Sequence, residues 1–267
     1  MTARALIAML SIVGLPIAGG CARMRSAPAL PDGNNLVLDQ LVIYSDSRLP
    51  QHHRLLGELQ VQRAQLSTKL ALPVSDEPIH VYLFPTSDKL DAFMRVHFPE
   101  VPQRRAFFVE SDTRLTVYAY WGDRVAEDLR HEVAHGYLHA IVPRLPLWLD
   151  EGLAEYFEVP RGLGGVNRPH VDQLAVEVGR GWQPNLERLE RLRETGEMTQ
   201  SDYAESWAWV HFLLETTPER RTLLQVYLQS LGGSPPPGPL SAHLHGLGQP
   251  IQRQLADYVL LLKQEGK

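Results

Sequence analysis

The apolar positions of this chain change their spacing along its length, and the changes mark out the elements. An uncharged stretch runs from Ala5 to Gly20, residues 22–35 mix Pro, Gly, Ser and Asn without periodicity, and regular patterning starts near Leu36. The run Leu36 to Tyr44, rich in branched residues, predicts a strand. Arg48 to Leu72, polar with recurring leucines, predicts an amphipathic helix that Pro73 closes. Ile79 to Phe84 predicts a second strand, and from Ser87 the residues Leu90, Phe93, Met94 and Phe98 recur at helical spacing. Ala106 to Val109 and Leu115 to Trp121 predict adjacent strands around a turn at residues 110–113. Asp123 can cap a helix reaching about Val142, and Pro143 and Pro146 separate it from a second helix over Leu147 to Glu158. Beyond Pro160 the pattern is helical. A Gly-rich loop at Arg161 to Val166 precedes helices over Ser201 to Leu214 and Glu219 to Leu231, a Pro/Gly break at Gly232 to Pro239, and two terminal helices near Ala242 and over Ile251 to Leu262. No internal repeat is visible.

This order predicts an α+β fold: a small mixed sheet with an edge strand, two helices after it, and a mainly helical C-terminal subdomain. Four segments follow: a signal peptide at 1–20, a lipid-bearing cysteine and linker at 21–35, an N-terminal subdomain at 36–160, and a helical C-terminal subdomain at 161–267.

Composition alters this picture at one end only. A formal charge of −5 with no concentrated basic block argues against nucleic acid as a partner. The N-terminal stretch follows Arg4 and is sixteen residues long, which suits a secretion signal and falls short of the roughly 20 residues a membrane-crossing helix needs. It ends in Ala18-Gly19-Gly20-Cys21, whose cysteine is the only one in the chain. That ending resembles the lipobox of bacterial lipoproteins, with Ala18 in place of the usual Leu. The resemblance implies lipidation of Cys21 and a membrane partner through the lipid. Ala22, not Asp, follows the cysteine, so an outer-membrane lipoprotein facing the periplasm is expected, with a secreted or periplasmic protein as the alternative.

The chemistry is concentrated in the two central helices. In His131-Glu132-Val133-Ala134-His135 the histidines stand at i and i+4, so both imidazoles can reach one ion from one helix face. Glu132 is rotated by about 100° on the same turn, away from the ligand direction but within reach of a water at the ion. On the next helix, Glu151 and Glu155 lie one turn apart, and spacing alone would let either be the third ligand. The string Trp148-Leu149-Asp150-Glu151-Gly152-Leu153-Ala154-Glu155-Tyr156 resembles the second zinc helix of the gluzincin metallopeptidases, and the smaller peptidase-MA-like domains among them fit the short spacing best.

The resemblance implies a zincin-like fold, Zn²⁺ as cofactor, and His131, His135 and Glu151 as its ligands, with Glu132 as general base. Glu155 would orient His131, and Asp150 would support His135. His139 continues the i, i+4 series, but Leu138 and Ile141 stand where a metzincin would need Gly and His. It is read as a partly buried histidine beneath the helix. Gluzincins bind substrate along a sheet edge before the metal helix. That implies Leu115 to Trp121 as the edge, with Thr116, Tyr118 and Tyr120 on one face. A second oxyanion donor would come from the helical part, with Tyr203 and His211 as candidates. The expected activity is zinc-dependent hydrolysis of peptide or protein substrates, and the lack of a motif for a free amino terminus favours an endopeptidase. The alternative is a non-catalytic, zinc-stabilised envelope lipoprotein acting as scaffold or assembly factor, for which Glu132 would be superfluous.

Overall fold

In a computed structural model of the chain, which describes residues 28–49, 53–244 and 250–266, the strand-forming runs assemble into one five-stranded mixed sheet. Its strands are β1 (Asn34–Leu38), β2 (Leu41–Ser45), β3 (Ile79–Phe84), β4 (Ala106–Ser111) and β5 (Arg114–Tyr120), in the spatial order β1-β2-β3-β5-β4. β2, β3 and β5 are parallel to one another, and β1 and β4 are antiparallel additions at the two edges. The run expected to be one strand from Leu36 is therefore a hairpin. Asp39 takes a left-handed conformation (φ 52°), which a short polar side chain tolerates, and Leu38 pairs with Leu41 across the turn. Pairing begins at Asn34 and Asn35, opposite Ser45 and Tyr44, so the expected linker gives its last two residues to the sheet.

Three helices cover the sheet. α1 (Arg54–Leu70) and α3 (Val125–His139) join Leu41, Ile43, Ile79, Val81 and Val117 in one core, while α2 (Ser87–His97) packs Leu90, Phe93 and Met94 against Tyr82, Phe84 and Phe107 on the other face. α1 starts later than its leucine pattern suggested, where the His53 ring accepts the Leu55 amide at 3.3 Å. α3 starts after Arg124 without a side-chain cap, so Asp123 does not serve as one. Gly136 lets α3 lie directly on the sheet, because a Cβ there would meet Ile79 at 3.0 Å.

The remaining helices are α4 (Leu147–Phe157), α5 (Arg168–Gly179), α6 (Leu186–Leu189), α7 (Gln200–Glu215), α8 (Pro218–Ser230), α9 (Leu240–Leu244) and α10 (Ile251–Glu265). The C-terminal part is mostly helical, as expected, though α5 and α6 were not legible in the sequence. Pro169 sits in the first turn of α5, where proline costs no helical hydrogen bond, and only His170, Val171 and Leu174 on it are buried. α7 is the hub of this half, with Trp207, Trp209 and Phe212 almost fully buried. α4 crosses it so closely that a Cβ on Gly152 would lie 2.5 Å from the Ser206 carbonyl oxygen.

The expected signal peptide, Cys21 and the linker up to residue 27 lie outside the described residues. No helix among the described residues is long and apolar enough to cross a membrane.

Candidate metal centre

α3 is half buried along its length. Val133, Ala134, Tyr137 and Leu138 face the core, and the opposite side carries His131, Glu132, His135 and His139 toward a cleft. α4 brings Glu151 to the same point from below, since Trp148, Leu149, Leu153 and Ala154 are buried against α3 and α7 and leave one direction for its side chain. The structure thus joins His131, His135 and Glu151 into a group that could hold a metal ion. Their nearest atoms form a compact triangle: His131 Nε2 to His135 Nε2 is 3.2 Å, and each Nε2 lies 3.7 to 3.8 Å from Glu151 Oε2. A point equidistant from all three is about 2.1 Å from each, the length of a zinc–nitrogen or zinc–oxygen bond.

The outer contacts of the two rings fit a cation as well. His131 Nδ1 donates to Glu158 Oε2 at 2.9 Å, and His135 Nδ1 donates to Asp150 Oδ1 at 2.8 Å. With both Nδ1 protons committed, the two Nε2 lone pairs and a carboxylate oxygen converge on one spot, which is stable only with a positive charge between them. Burial alone would lower the pKa of His131, but Glu151 and Glu158 outweigh it and raise it well above the ordinary value. His135 is raised in the same way against burial by Asp150 and Glu151. Glu132, on the same turn, has its pKa raised by burial, against the opposite pull of His131 and His135.

Asp150 hydrogen-bonds His135, whereas Glu155 makes no hydrogen bond to His131. Its Oε2 accepts from His170 Nε2 at 2.8 Å and from Asn167 at 3.2 Å, while Glu158 takes the place beside His131. Glu158 was missed, although a position seven residues after Glu151 returns to within about 20° of the same helix face. His139 is partly buried, as read, and bonds Glu110 and Asp150. The charges crowded before the motif also find partners. Asp128 holds Arg105 through both oxygens at 2.8 to 3.0 Å, and Arg130 reaches Glu58 on α1 and the Glu158 carbonyl beyond α4.

Two expectations need correction. β5 is not the edge of the sheet, for it is hydrogen-bonded to β3 on one side and β4 on the other. Thr116, Tyr118 and Tyr120 do share a face, but it is the α2 face: Tyr118 stacks on Tyr82 and Phe107 there, on the side of the sheet away from α3. The edge beside the cleft is β4, whose Phe108 ring stacks on His135 with centroids 6.0 Å apart.

The second concerns the candidate oxyanion donors, of which only one is at the cleft. Tyr203 lines it near Glu151, and burial, with the Glu151 charge adding to it, pushes the phenol up to about 12. His211 is buried inside the helical half. Its Nε2 donates to Gly164 O at 3.2 Å and its Nδ1 accepts from Tyr258 at 3.0 Å, so it anchors the Gly-rich loop together with Trp207, which donates to Gly165 O. It is a packing residue because the helix stripe that carries it faces the core.

Residues 125–236 match the family described as Protein of unknown function (DUF1570). That span contains α3, α4 and α7, and so every residue of the triangle together with Asp150, Glu158 and Tyr203, while the sheet lies before it. No curated protein matches the chain.

Proposed function

We propose that this chain is a zinc-dependent peptidase of the gluzincin type with a zincin-like fold, an endopeptidase acting in the bacterial cell envelope. One observation carries the reading: three ligand atoms converge at bonding distance from a common point, and each histidine is held from behind by a carboxylate. Three protein ligands suit a catalytic site, which leaves a position open, better than a structural one. The cleft favours a polymer as substrate. It runs as an open groove along the edge strand β4, whose outer side can take a peptide as an added strand.

Bound zinc would acidify a water and polarise the carbonyl of the scissile bond. Glu132, on the same helix turn as the two histidines, would act as the base that accepts a proton from the attacking water and returns it to the amide nitrogen when the C–N bond breaks. The Tyr203 phenol, kept protonated by burial, donates to the carbonyl oxygen as negative charge develops there. His131, His135 and Glu151 would hold the ion, and Glu158 and Asp150 hold the two imidazoles.

Elemental analysis of the purified chain, beside Glu151→Ala and Glu132→Gln variants, tests this. Near one zinc per chain in the wild type and in Glu132→Gln, loss of zinc in Glu151→Ala, and loss of peptide cleavage in both variants are expected. A wild type that stays free of zinc after the metal is supplied would sink the proposal. Full biological function in Glu132→Gln would point to the scaffold instead. We further assign the chain to the outer membrane, anchored through Cys21 on the strength of its lipobox-like sequence. Radiolabelled fatty acid should enter the wild type and not Cys21→Ser.

A further inference from the structure

His139 is not a bystander beneath the metal helix. Its Nδ1 lies 2.7 Å from Glu110 Oε2 and its Nε2 lies 2.9 Å from Asp150 Oδ2, so both ring nitrogens face carboxylate oxygens and both donate. The other oxygen of Asp150 takes the Nδ1 proton of His135 at 2.8 Å. The result is an unbroken series, Glu110–His139–Asp150–His135, that begins on strand β4 and ends on a histidine of the metal centre. Phe108, two residues before Glu110, runs beside it, stacked on His135 and tilted against His139 at 5.1 Å.

We propose that Glu110, His139 and Asp150 form a positioning chain that couples metal affinity at the centre to the order of the edge strand β4. The proposal rests on the metal-binding reading above. The physical basis is rotational. A carboxylate held at one oxygen can still turn about its Cβ–Cγ bond, and the imidazole it supports turns with it. His139 holds the second oxygen of Asp150, which removes that freedom, and Glu110 holds the far nitrogen of His139, which keeps His139 from swinging away. Each link pre-sets the direction of His135 Nε2 before any ion arrives. Coupling of this kind is reciprocal: an ion that fixes His135 also fixes the other end of the chain, and so restrains β4 where a peptide would pair. Phe108 reinforces the link by packing, since it belongs to the same strand and lies on the same ring.

The test uses the full chain and zinc itself as probe. Zinc affinity is measured by competition with a chromogenic chelator in the wild type, in His139→Gln, in Glu110→Gln and in the double variant. Hydrogen exchange of the amides at 106–111 is followed with and without zinc. Each single variant should bind zinc about tenfold more weakly. The double variant should bind like His139→Gln alone, because the series of contacts from Glu110 to Asp150 passes through His139. Zinc should slow exchange in β4 of the wild type and lose that effect in His139→Gln. A merely structural role would lower the unfolding midpoint of the metal-free variants and leave zinc affinity where it was, which overturns the proposal. So would losses that multiply in the double variant. Should His139→Gln fail to fold, Glu110→Gln, at the more exposed end, carries the same affinity prediction. A wild type that binds no zinc overturns the metal reading and this coupling together, whereas a zinc-binding wild type with unaltered variants overturns the coupling alone.

Discussion

His135 on α3 and His211 on α7 are both buried, yet the histidines of the two helices have surroundings opposite in kind. His131, His135 and His139 each have at least one ring nitrogen on a carboxylate, from Glu158, from Asp150, and from Asp150 and Glu110. His211 has a backbone carbonyl and a phenol. Burial lowers the pKa in every case, but the carboxylates reverse it on α3, where His139 is raised to about 10, while burial prevails at His211 and lowers it to about 4. A histidine fitted to a cation is thus distinguished from a core histidine less by its exposure than by the charge behind it.

The comparison can be broken, beginning with the largest effect. Removing the third ligand in Glu151→Ala should weaken zinc binding by more than about 100-fold, beyond the range for residues that only support a ligand. His211→Ala should leave one zinc per chain, as read by elemental analysis. Equal losses in the two would erase the distinction.

The next effect is on stability. His211 is neutral in the folded chain and protonates in the unfolded chain below the ordinary value of 6.5, so unfolding gains a proton as pH falls. Its contribution is intact above 6.5 and drains away between 6.5 and about 4, on the order of 3 kcal/mol in all. Denaturant titrations across that window should show this slope in the wild type and a flatter one in His211→Gln. The same slope in both would mean that another group titrates.

A smaller effect separates the two carboxylates at the end of α4. Glu158→Gln should weaken zinc roughly 10- to 100-fold, and Glu155→Gln, one turn earlier and bound to His170, by less than about threefold. Chelator competition decides it, and the reverse order would restore Glu155 as the support of His131. The last contrast is between the two oxyanion candidates. Tyr203→Phe should lower kcat by about 10- to 100-fold with KM little changed, and His211 substitutions should act on stability instead. A Tyr203→Phe variant with wild-type turnover would remove the phenol from the proposed chemistry.

Much of the site was legible because a helix converts sequence spacing into direction. An i, i+4 pair on α3 has only one face to point from, and Glu151 follows with Asp150 beside it. The same arithmetic was insufficient at Glu155 and Glu158. Both lie within about 40° of the face of Glu151, and which one meets His131 depends on where α4 crosses α3 and on Asn167 and His170 occupying Glu155 first. His211 was misread for a related reason: its stripe on α7 is apolar, and nothing in the spacing tells a stripe facing a cleft from one facing a core.

The sheet divides in the same way. Alternation and turn residues determined that 106–120 is a hairpin and that Thr116, Tyr118 and Tyr120 share a face. Which strand of the hairpin lies outside was decided by the parallel pairing of β5 with β3, a contact between segments some thirty-six residues apart, from Ile79 to Leu115, that leaves no local mark. The sequence by itself determined the turn with its paired histidines, the helix that brings Glu151 to them and the faces of each strand, since these follow from backbone periods of 3.6 and 2 residues. Only the tertiary structure decided the edge strand, the carboxylate behind His131 and the place of His139 between Glu110 and Asp150, because each depends on side chains meeting across elements whose relative placement is set by packing.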